Sequence, residues 1–433
     1  MSMAYRESVA YLYGLQKHGI KLGLETINEM LAALGRPHER YPSFHIGGTN
    51  GKGSTAAMAA SVLRAAGYRV GLYTSPHLVD YRERIRVNGD LVSEAQVVDL
   101  VQRVRQAAGS RLEPTFFEFN TAMAFQHFAD AKIDVAVVEV GMGGRFDATN
   151  VLRPLVSCVT TVGLDHQEHL GRAVRSIAFE KAGIIKEEVP IVSGRLDPDA
   201  DQVFAEVSAA RHAPRLRLGE EFSTVGGSTD AFVYQSGVRR LHGLACPLAG
   251  AHQLENAACA LAMLDAAAST DIRVSDEAAR EGIRHVEWEG RLEIVERNPL
   301  VVLDGAHNPA AAEAVARYLA EYRRSNPSSR VHLVVGMMRD KDMRGFLAHM
   351  CPVADSLLLT RVDLPRAATV EELRAALPAA VPPSEVAPSV SEALDRARRT
   401  AAPRDLICVT GSLMLVGAVK AFLRGRALSP ISG

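Results

Sequence analysis

Residues 47–54 read Gly47-Gly48-Thr49-Asn50-Gly51-Lys52-Gly53-Ser54, a glycine-rich turn between an apolar run and an alanine-rich run that starts near Thr55. Glycines let a backbone turn tightly enough for several N–H groups to face one anion, and a helix start adds the positive end of its dipole. Lys52 brings a mobile point charge, and the hydroxyls of Ser54 and Thr55 suit a magnesium ion. The chemistry is that of a cradle for nucleotide phosphates. A glycine-rich surface turn with an incidental lysine is the competing reading, and the strand–turn–helix context disfavours it. The commonest P-loop, G-x-x-x-x-G-K-[ST], would place its first glycine at Ile46 and a hydroxyl directly after Lys52. A general P-loop NTPase therefore describes this loop poorly.

Bound triphosphate calls for magnesium, so metal-binding side chains should converge beside Ser54. Glu139 closes the apolar run 135–138 and precedes Gly141-Met142-Gly143-Gly144, which puts a carboxylate at the carboxyl end of a buried strand, where open α/β sheets place their sites. A solvated strand-end acid is the bland alternative. His166 follows a second apolar run and comes to the same edge; on its own it reads more readily as a structural hydrogen-bonding histidine than as a ligand. Lys181 and Lys186 lie near the end of a helical run and look like ordinary helix-face or surface charges.

These residues need a scaffold, and the chain supplies an alternating one. Strand candidates are 44–46, 70–73, 135–140 and 156–161, interleaved with helical runs 55–66, 93–108 and 116–131. Ser93 with Gln96 has the spacing of a capping box. The pattern is less regular from 197 to 243, and 252–268 is again helical. A second series has strands at 301–303, 331–335, 356–359 and 406–409, with helices at 310–322, 370–376 and 390–398. Proline-rich 378–388 reads as a loop.

At 433 residues the chain exceeds one ordinary core, so two domains are expected. A net charge of −1 and 47% hydrophobic residues suit a globular enzyme and give no basic surface for nucleic acid or a membrane. The five cysteines are scattered with no C-x-x-C spacing, as in a reducing compartment without a zinc site. Residues 1–7 show no secretory pattern and no apolar run is long enough to span a bilayer, so the expectation is a cytoplasmic protein, monomeric by default.

The ordered motifs resemble one family. They are Leu22-Gly23-Leu24-Glu25, the loop 48–54, Tyr73-Thr74-Ser75-Pro76-His77-Leu78, Glu83-Arg84-Ile85-Arg86, Thr115-Phe116-Phe117-Glu118 and the run 139–150. Gly163-Leu164-Asp165-His166, the run 180–186, Gly290-Arg291-Leu292-Glu293, Asp304-Gly305-Ala306-His307-Asn308-Pro309 and Thr410-Gly411-Ser412 complete the set. Together they resemble the folylpolyglutamate synthases of the Mur ligase superfamily, in the branch of bacterial bifunctional dihydrofolate synthase/folylpolyglutamate synthases. The resemblance implies an α/β fold of two domains. An N-terminal P-loop NTPase-like, mainly parallel sheet with flanking helices would cover 1–292, a linker 293–298, and a smaller Rossmann-like domain 299–433.

The same resemblance implies roles. Asn50, Gly51, Lys52, Gly53 and Ser54 would wrap the phosphates of ATP, with Asn256, Arg291 and Asp304 contacting the nucleotide from a helix, the linker and the second domain. Ser75 and Glu139 would hold one magnesium, and His166 a second with Lys181, which matches a lysine the family carries N-carboxylated. Thr115, Phe116, Phe117, Glu118, Phe146, Asp147 and Ala148 match contacts to a pterin substrate; the family usually has leucine where Phe146 stands. His307 and Ser412 are candidates for binding incoming glutamate or phosphate. The implied reaction joins L-glutamate to the carboxylate of dihydropteroate or of a reduced folate, through an acyl phosphate, with Lys52, His166, Lys181, Asp304 and His307 in the catalytic set. Three other readings compete: a superfamily ligase for a cell-wall or poly-amino-acid substrate, a P-loop switch or motor, and a silent binding module.

Overall fold

The computed structural model describes residues 2–19, 21 and 23–426; Leu22 of the 22–25 motif lies outside the described residues, as does the segment 427–433. Eight strands form the larger sheet: β1 (Ser43–Gly47), β2 (Val70–Tyr73), β3 (Ile85–Val87), β4 (Asp90–Leu91), β5 (Val135–Glu139), β6 (Val156–Val159), β7 (Ile191–Ser193) and β8 (Arg215–Arg217). Their order is β4-β3-β2-β5-β1-β6-β7-β8, parallel from β2 to β8 with β3 and β4 antiparallel at one edge. The central strands are buried on both faces, so they read as continuous apolar runs, yet alternate residues serve different layers. Val135 and Val137 join Phe44 and Ile46 against the helices Lys52–Ala65 and His252–Ala266. Ala136 and Val138 face the opposite layer, built from Met3–Gly14, Glu25–Ala33, Glu94–Ala108 and Phe116–Asp130.

An antiparallel trio, β9 (Phe222–Ser228), β10 (Ala231–Ser236) and β11 (Arg240–Leu244), extends the first of these layers. The region of weak pattern also holds the helix Pro198–Ala210, capped by Asp197. The second sheet has order β12-β13-β17-β14-β15-β16, from β12 (Glu293–Arg297), β13 (Leu300–Leu303), β14 (Val331–Val335), β15 (Ser356–Leu359), β16 (Ser384–Val386) and β17 (Leu406–Thr410). All its pairings are parallel except β12 with β13. The segment 293–298 therefore differs from a plain connector: most of it is an edge strand of this sheet. Proline-rich 378–388 likewise holds β16 rather than loop alone. Among the described residues, no helix is long and apolar enough to cross a membrane.

Local signals match their elements. Ser93 and Gln96 close the expected capping box, with Gln96 N–H donating to Ser93 Oγ at 3.2 Å and Ser93 N–H to Gln96 Oε1 at 2.9 Å. The helix expected from Thr55 begins earlier, at Lys52, because the glycine turn feeds straight into it: Gly51, at φ 88°, is its N-cap.

A buried polar thread fastens the loop after β5 to β1. Thr149 Oγ1 donates to Asp147 Oδ1 at 2.5 Å and lies 2.8 Å from His45 Nε2, so the imidazole serves as the donor from Nε2. Asp147 also accepts from the N–H groups of Thr149 and Met142. His45 is wholly buried and its Nδ1 has no partner, so a second ring proton would sit unpaired in the core. Burial, aided by the charge of Lys186, lowers its pKa from 6.5 to about 3. Because the folded value lies below the unfolded one, this histidine's contribution is complete above pH 6.5 and lost as pH falls toward 3. Urea unfolding across that window should show wild type losing stability faster than His45→Gln, the difference changing by up to about 1.4 kcal/mol per pH unit. Parallel pH profiles for the two proteins would contradict this.

Candidate functional site

The glycine turn lies at the carboxyl end of β1, at the mouth of the larger sheet, and neighbouring loops hold it rigidly. Thr49 N–H donates to Thr161 O at 2.8 Å and Asn50 N–H to Thr161 Oγ1 at 2.9 Å, while Thr160 Oγ1 donates to Asn50 O at 2.6 Å. Gly48 has φ 140°, and a Cβ there would lie 2.1 Å from Thr160 Oγ1, so only glycine fits. A Cβ at Gly51 would lie 2.3 Å from Asn256 Oδ1, which sets Asn256 directly against the loop. No side chain caps the helix Lys52–Ala65, so its first N–H groups and its dipole remain for an anion.

Two lysines converge beneath this turn. Lys52 Nζ donates to the carbonyls of Gly48 at 2.9 Å and Thr49 at 3.1 Å; Lys181 Nζ donates to the same Gly48 carbonyl at 2.9 Å. Lys181 is buried at the end of the helix Val174–Ala182, which overturns the plain reading of it as a surface charge. Burial first, then the charge of Lys52, lowers its pKa to about 7. Burial also lowers Lys52, opposed by Glu139 and Asp165. Lys186 is bound by its ammonium to Asn150 O at 2.7 Å, and burial lowers it to about 8.

Glu139 ends β5 and is buried; its Oε2 accepts from Ser75 N–H at 3.0 Å. Burial pushes its pKa up, against the pull of Lys52 and of the Ser75 N–H. Glu139 and Ser75 line a small cleft that also takes in Gly53 and Arg291. Among the described residues no three His, Cys, Asp or Glu side chains cluster tightly enough to hold a metal alone. One carboxylate with serine hydroxyls fits magnesium nonetheless, since that ion completes its shell with waters and substrate phosphates.

A second cluster joins the two sheets' domains and centres on Asp165. Its carboxylate accepts from Lys341 Nζ at 2.6 Å, Asn308 Nδ2 at 3.2 Å and its neighbour His166 N–H at 2.8 Å, and lies 3.3 Å from His307 Nε2. Burial alone would raise its pKa, but His307, His166 and Lys341 hold it well below the usual range. Asn308 also exchanges amide hydrogen bonds with Asn50 of the glycine turn, at 2.9 and 3.2 Å. His166 stands in left-handed conformation at φ 50°, and burial, then Lys341, lowers its pKa to about 4. The structure thus brings Asn50, His166 and His307 together. It adds Asp165 and Asn308, which the motifs contain, and Lys341, which lies outside them; their contacts run across the domain seam.

Other expected residues take structural positions. Asp304, at the end of β13, accepts from Leu292 N–H and Ala306 N–H, both at 2.8 Å, and so fixes the chain crossing between domains. Arg291 Nη1 donates to Gly290 O at 3.0 Å beside it. Thr115 and Glu118 form a reciprocal cap on the helix Phe116–Asp130, with Thr115 N–H donating to Glu118 Oε2 at 2.8 Å and Glu118 N–H to Thr115 Oγ1 at 3.2 Å. Phe116 stacks on Tyr13, and Phe117 lies against Tyr73 and Gly141. Arg145 lies between the rings of Phe146 and Phe179, 4.3 and 5.1 Å from their centroids. Asp147 caps the short helix containing Ala148. Ser412 is buried, donates to Gly336 O at 2.9 Å and caps the helix Leu413–Leu423.

Residues 46–264 match the Mur ligase middle domain, and residues 290–413 match the Mur ligase, glutamate ligase domain. The chain is 37% identical over 388 residues to a dihydrofolate synthase/folylpolyglutamate synthase of Bacillus subtilis, covering 86% of this chain and 89% of that protein. Its fold superposes on Escherichia coli FolC in complex with DHPP and ADP with a TM-score of 0.89 at 35% identity, covering 98% and 99% of the two chains. A bifunctional folylpolyglutamate synthase/dihydrofolate synthase with Mn, AMPPNP and L-glutamate bound gives 0.86 at 36% identity, covering 96% and 98%. With both domains matched in order and the whole fold shared, the chain belongs to the Mur ligase superfamily, in its folylpolyglutamate/dihydrofolate synthase branch.

Proposed function

We propose that this chain uses ATP to join L-glutamate to the carboxylate of dihydropteroate and of reduced folates. The observation that carries this reading is a glycine-turn anion site, with half-buried Lys52 and buried Lys181 beneath it, set against an interdomain carboxylate cluster. A carboxylate resists attack by an amine because its leaving group would be oxide. A carboxylate oxygen of the acceptor first attacks the γ-phosphorus of ATP; the bond to the β–γ bridging oxygen breaks, giving an acyl phosphate and ADP. The amine of glutamate then attacks the acyl carbon, loses a proton and expels inorganic phosphate.

Most of the protein's part is positioning and charge neutralisation. The N–H groups of residues 51–54 and the Lys52 ammonium hold the phosphates, and Asn256, Arg291 and Asp304 fix the nucleotide between the domains. Ser54, Ser75 and Glu139 would hold one magnesium, and His166 with N-carboxylated Lys181 a second; metal bound there would supply further charge neutralisation for the transferring phosphoryl group. An amine near neutrality at pH 7 is the form that captures carbon dioxide, which is what the buried setting of Lys181 provides. Thr115, Phe116, Phe117 and Glu118 with Phe146, Asp147 and Ala148 border the pterin, and His307 with Ser412 serves the glutamate or phosphate. The functional boundary between the domains falls near residue 292. The whole works as a monomer in the cytoplasm, with no nucleic acid or membrane partner.

ADP release is expected with dihydropteroate and with tetrahydrofolate, each only when L-glutamate is present in steady state. Turnover without either acceptor would favour a P-loop switch, and a requirement for a cell-wall precursor would favour another superfamily ligase. Lys181→Ala should be inactive and regain part of its rate with added short carboxylic acids, which replace the carbamate. Full activity of that variant without additive would remove the carbamate from the account.

A further inference from the structure

The cleft beside Glu139 and Ser75 is walled by Arg86, Trp288, Glu289 and Arg291 as well. Its acids are already engaged: Glu139 accepts from Ser75 N–H, and Glu289 pairs with Lys420 at 3.1 Å and Arg424 at 2.6 Å. Glu83, also on the wall, accepts from the N–H groups of Leu78, Val79 and Asp80. The guanidiniums are not so engaged. Arg86 Nε donates to Glu83 O at 3.3 Å and Arg291 to Gly290 O, and among the described residues neither forms an ion pair with a carboxylate. The Arg86 guanidinium lies 6.0 Å from the centre of the Trp288 ring. That indole packs on Gly53, where a Cβ would lie 2.9 Å from it, and its buried Nε1–H has no hydrogen-bond partner. A wall with spare planar donors and an unspent N–H suits an oxyanion, carboxylate above all.

The proposed acceptors differ in this respect. Dihydropteroate ends in a single carboxylate, the one that reacts. An acceptor that ends in a glutamate carries two: the γ-carboxylate reacts and the α-carboxylate stays. Resting on the ligase reading above, we propose that Arg86, backed by Trp288, binds the non-reacting α-carboxylate of acceptors that end in a glutamate. Arg86 then separates tail extension from dihydrofolate formation, while both reactions share the glycine turn and Glu139.

Steady-state ADP release with tetrahydrofolate and with dihydropteroate, under saturating ATP and glutamate, tests this in wild type, Arg86→Gln and Arg86→Lys, with circular dichroism as the check on folding. Loss of one charge-assisted pair should raise the KM for tetrahydrofolate about tenfold or more in Arg86→Gln, with dihydropteroate kept within about twofold. Arg86→Lys keeps the charge and should fall between, even if the glutamine variant folds poorly. Equal rises for both acceptors, or none for tetrahydrofolate, would overturn the subsite. A wild-type chain that ligates dihydropteroate alone would overturn it too. Ligation of neither acceptor by wild type would instead defeat the ligase reading on which the subsite rests.

Discussion

The carbonyl oxygen of Gly48 accepts from two lysine side chains, Lys52 and Lys181, and this shared acceptor constrains everything around it. Two ammonium groups on one oxygen repel strongly where water is excluded. The turn holds them together because Gly48 adopts a φ open only to glycine and because Glu139 and Asp165 oppose the positive charge. The residual strain falls on the more deeply isolated partner. Lys181 is brought to about 7, the border between ammonium and nucleophilic amine, while Lys52 stays on the uncapped N-terminus of its helix. One close approach thus gives two lysines different chemistry.

That arrangement is completed only by the second domain. Asp165 lies on the first domain, yet Lys341, Asn308 and His307, which surround its carboxylate, all come from the second. Asn50 of the glycine turn pairs with Asn308 directly. Opening the domains would strip a buried carboxylate of its donors, a costly change unless another cation or ligand replaces them. The glycine turn and the domain seam are therefore one structure.

Much of this was legible in the sequence, for definable reasons. The parallel strands of the first sheet, buried on both faces, read as apolar runs, and Ser93 with Gln96 announced a helix start through side-chain chemistry alone. The glycine turn was legible because backbone geometry of that kind demands glycine at Gly48 and Gly51. Lys181 was not: its periodicity is that of a surface helix, and only the family resemblance lifted it out of that reading. Arg86, Asp165 and Lys341 escaped as site residues because their roles arise from neighbours remote in the chain. Thr115 and Glu118 also close a capping box on the helix Phe116–Asp130, a role in addition to the substrate contact that the family pattern implies. Strand β12 was hidden because an exposed edge strand alternates weakly and resembles a connector.

The central claim is that ATP activates a carboxylate rather than driving a motion. Oxygen isotope transfer addresses it most directly. With dihydropteroate labelled by ¹⁸O in its carboxylate, plus ATP and L-glutamate, one labelled oxygen should appear in inorganic phosphate. It arrives because the oxygen that bonds phosphorus leaves with it when the amine displaces the acyl phosphate. Amide formation that releases wholly unlabelled phosphate would contradict the account.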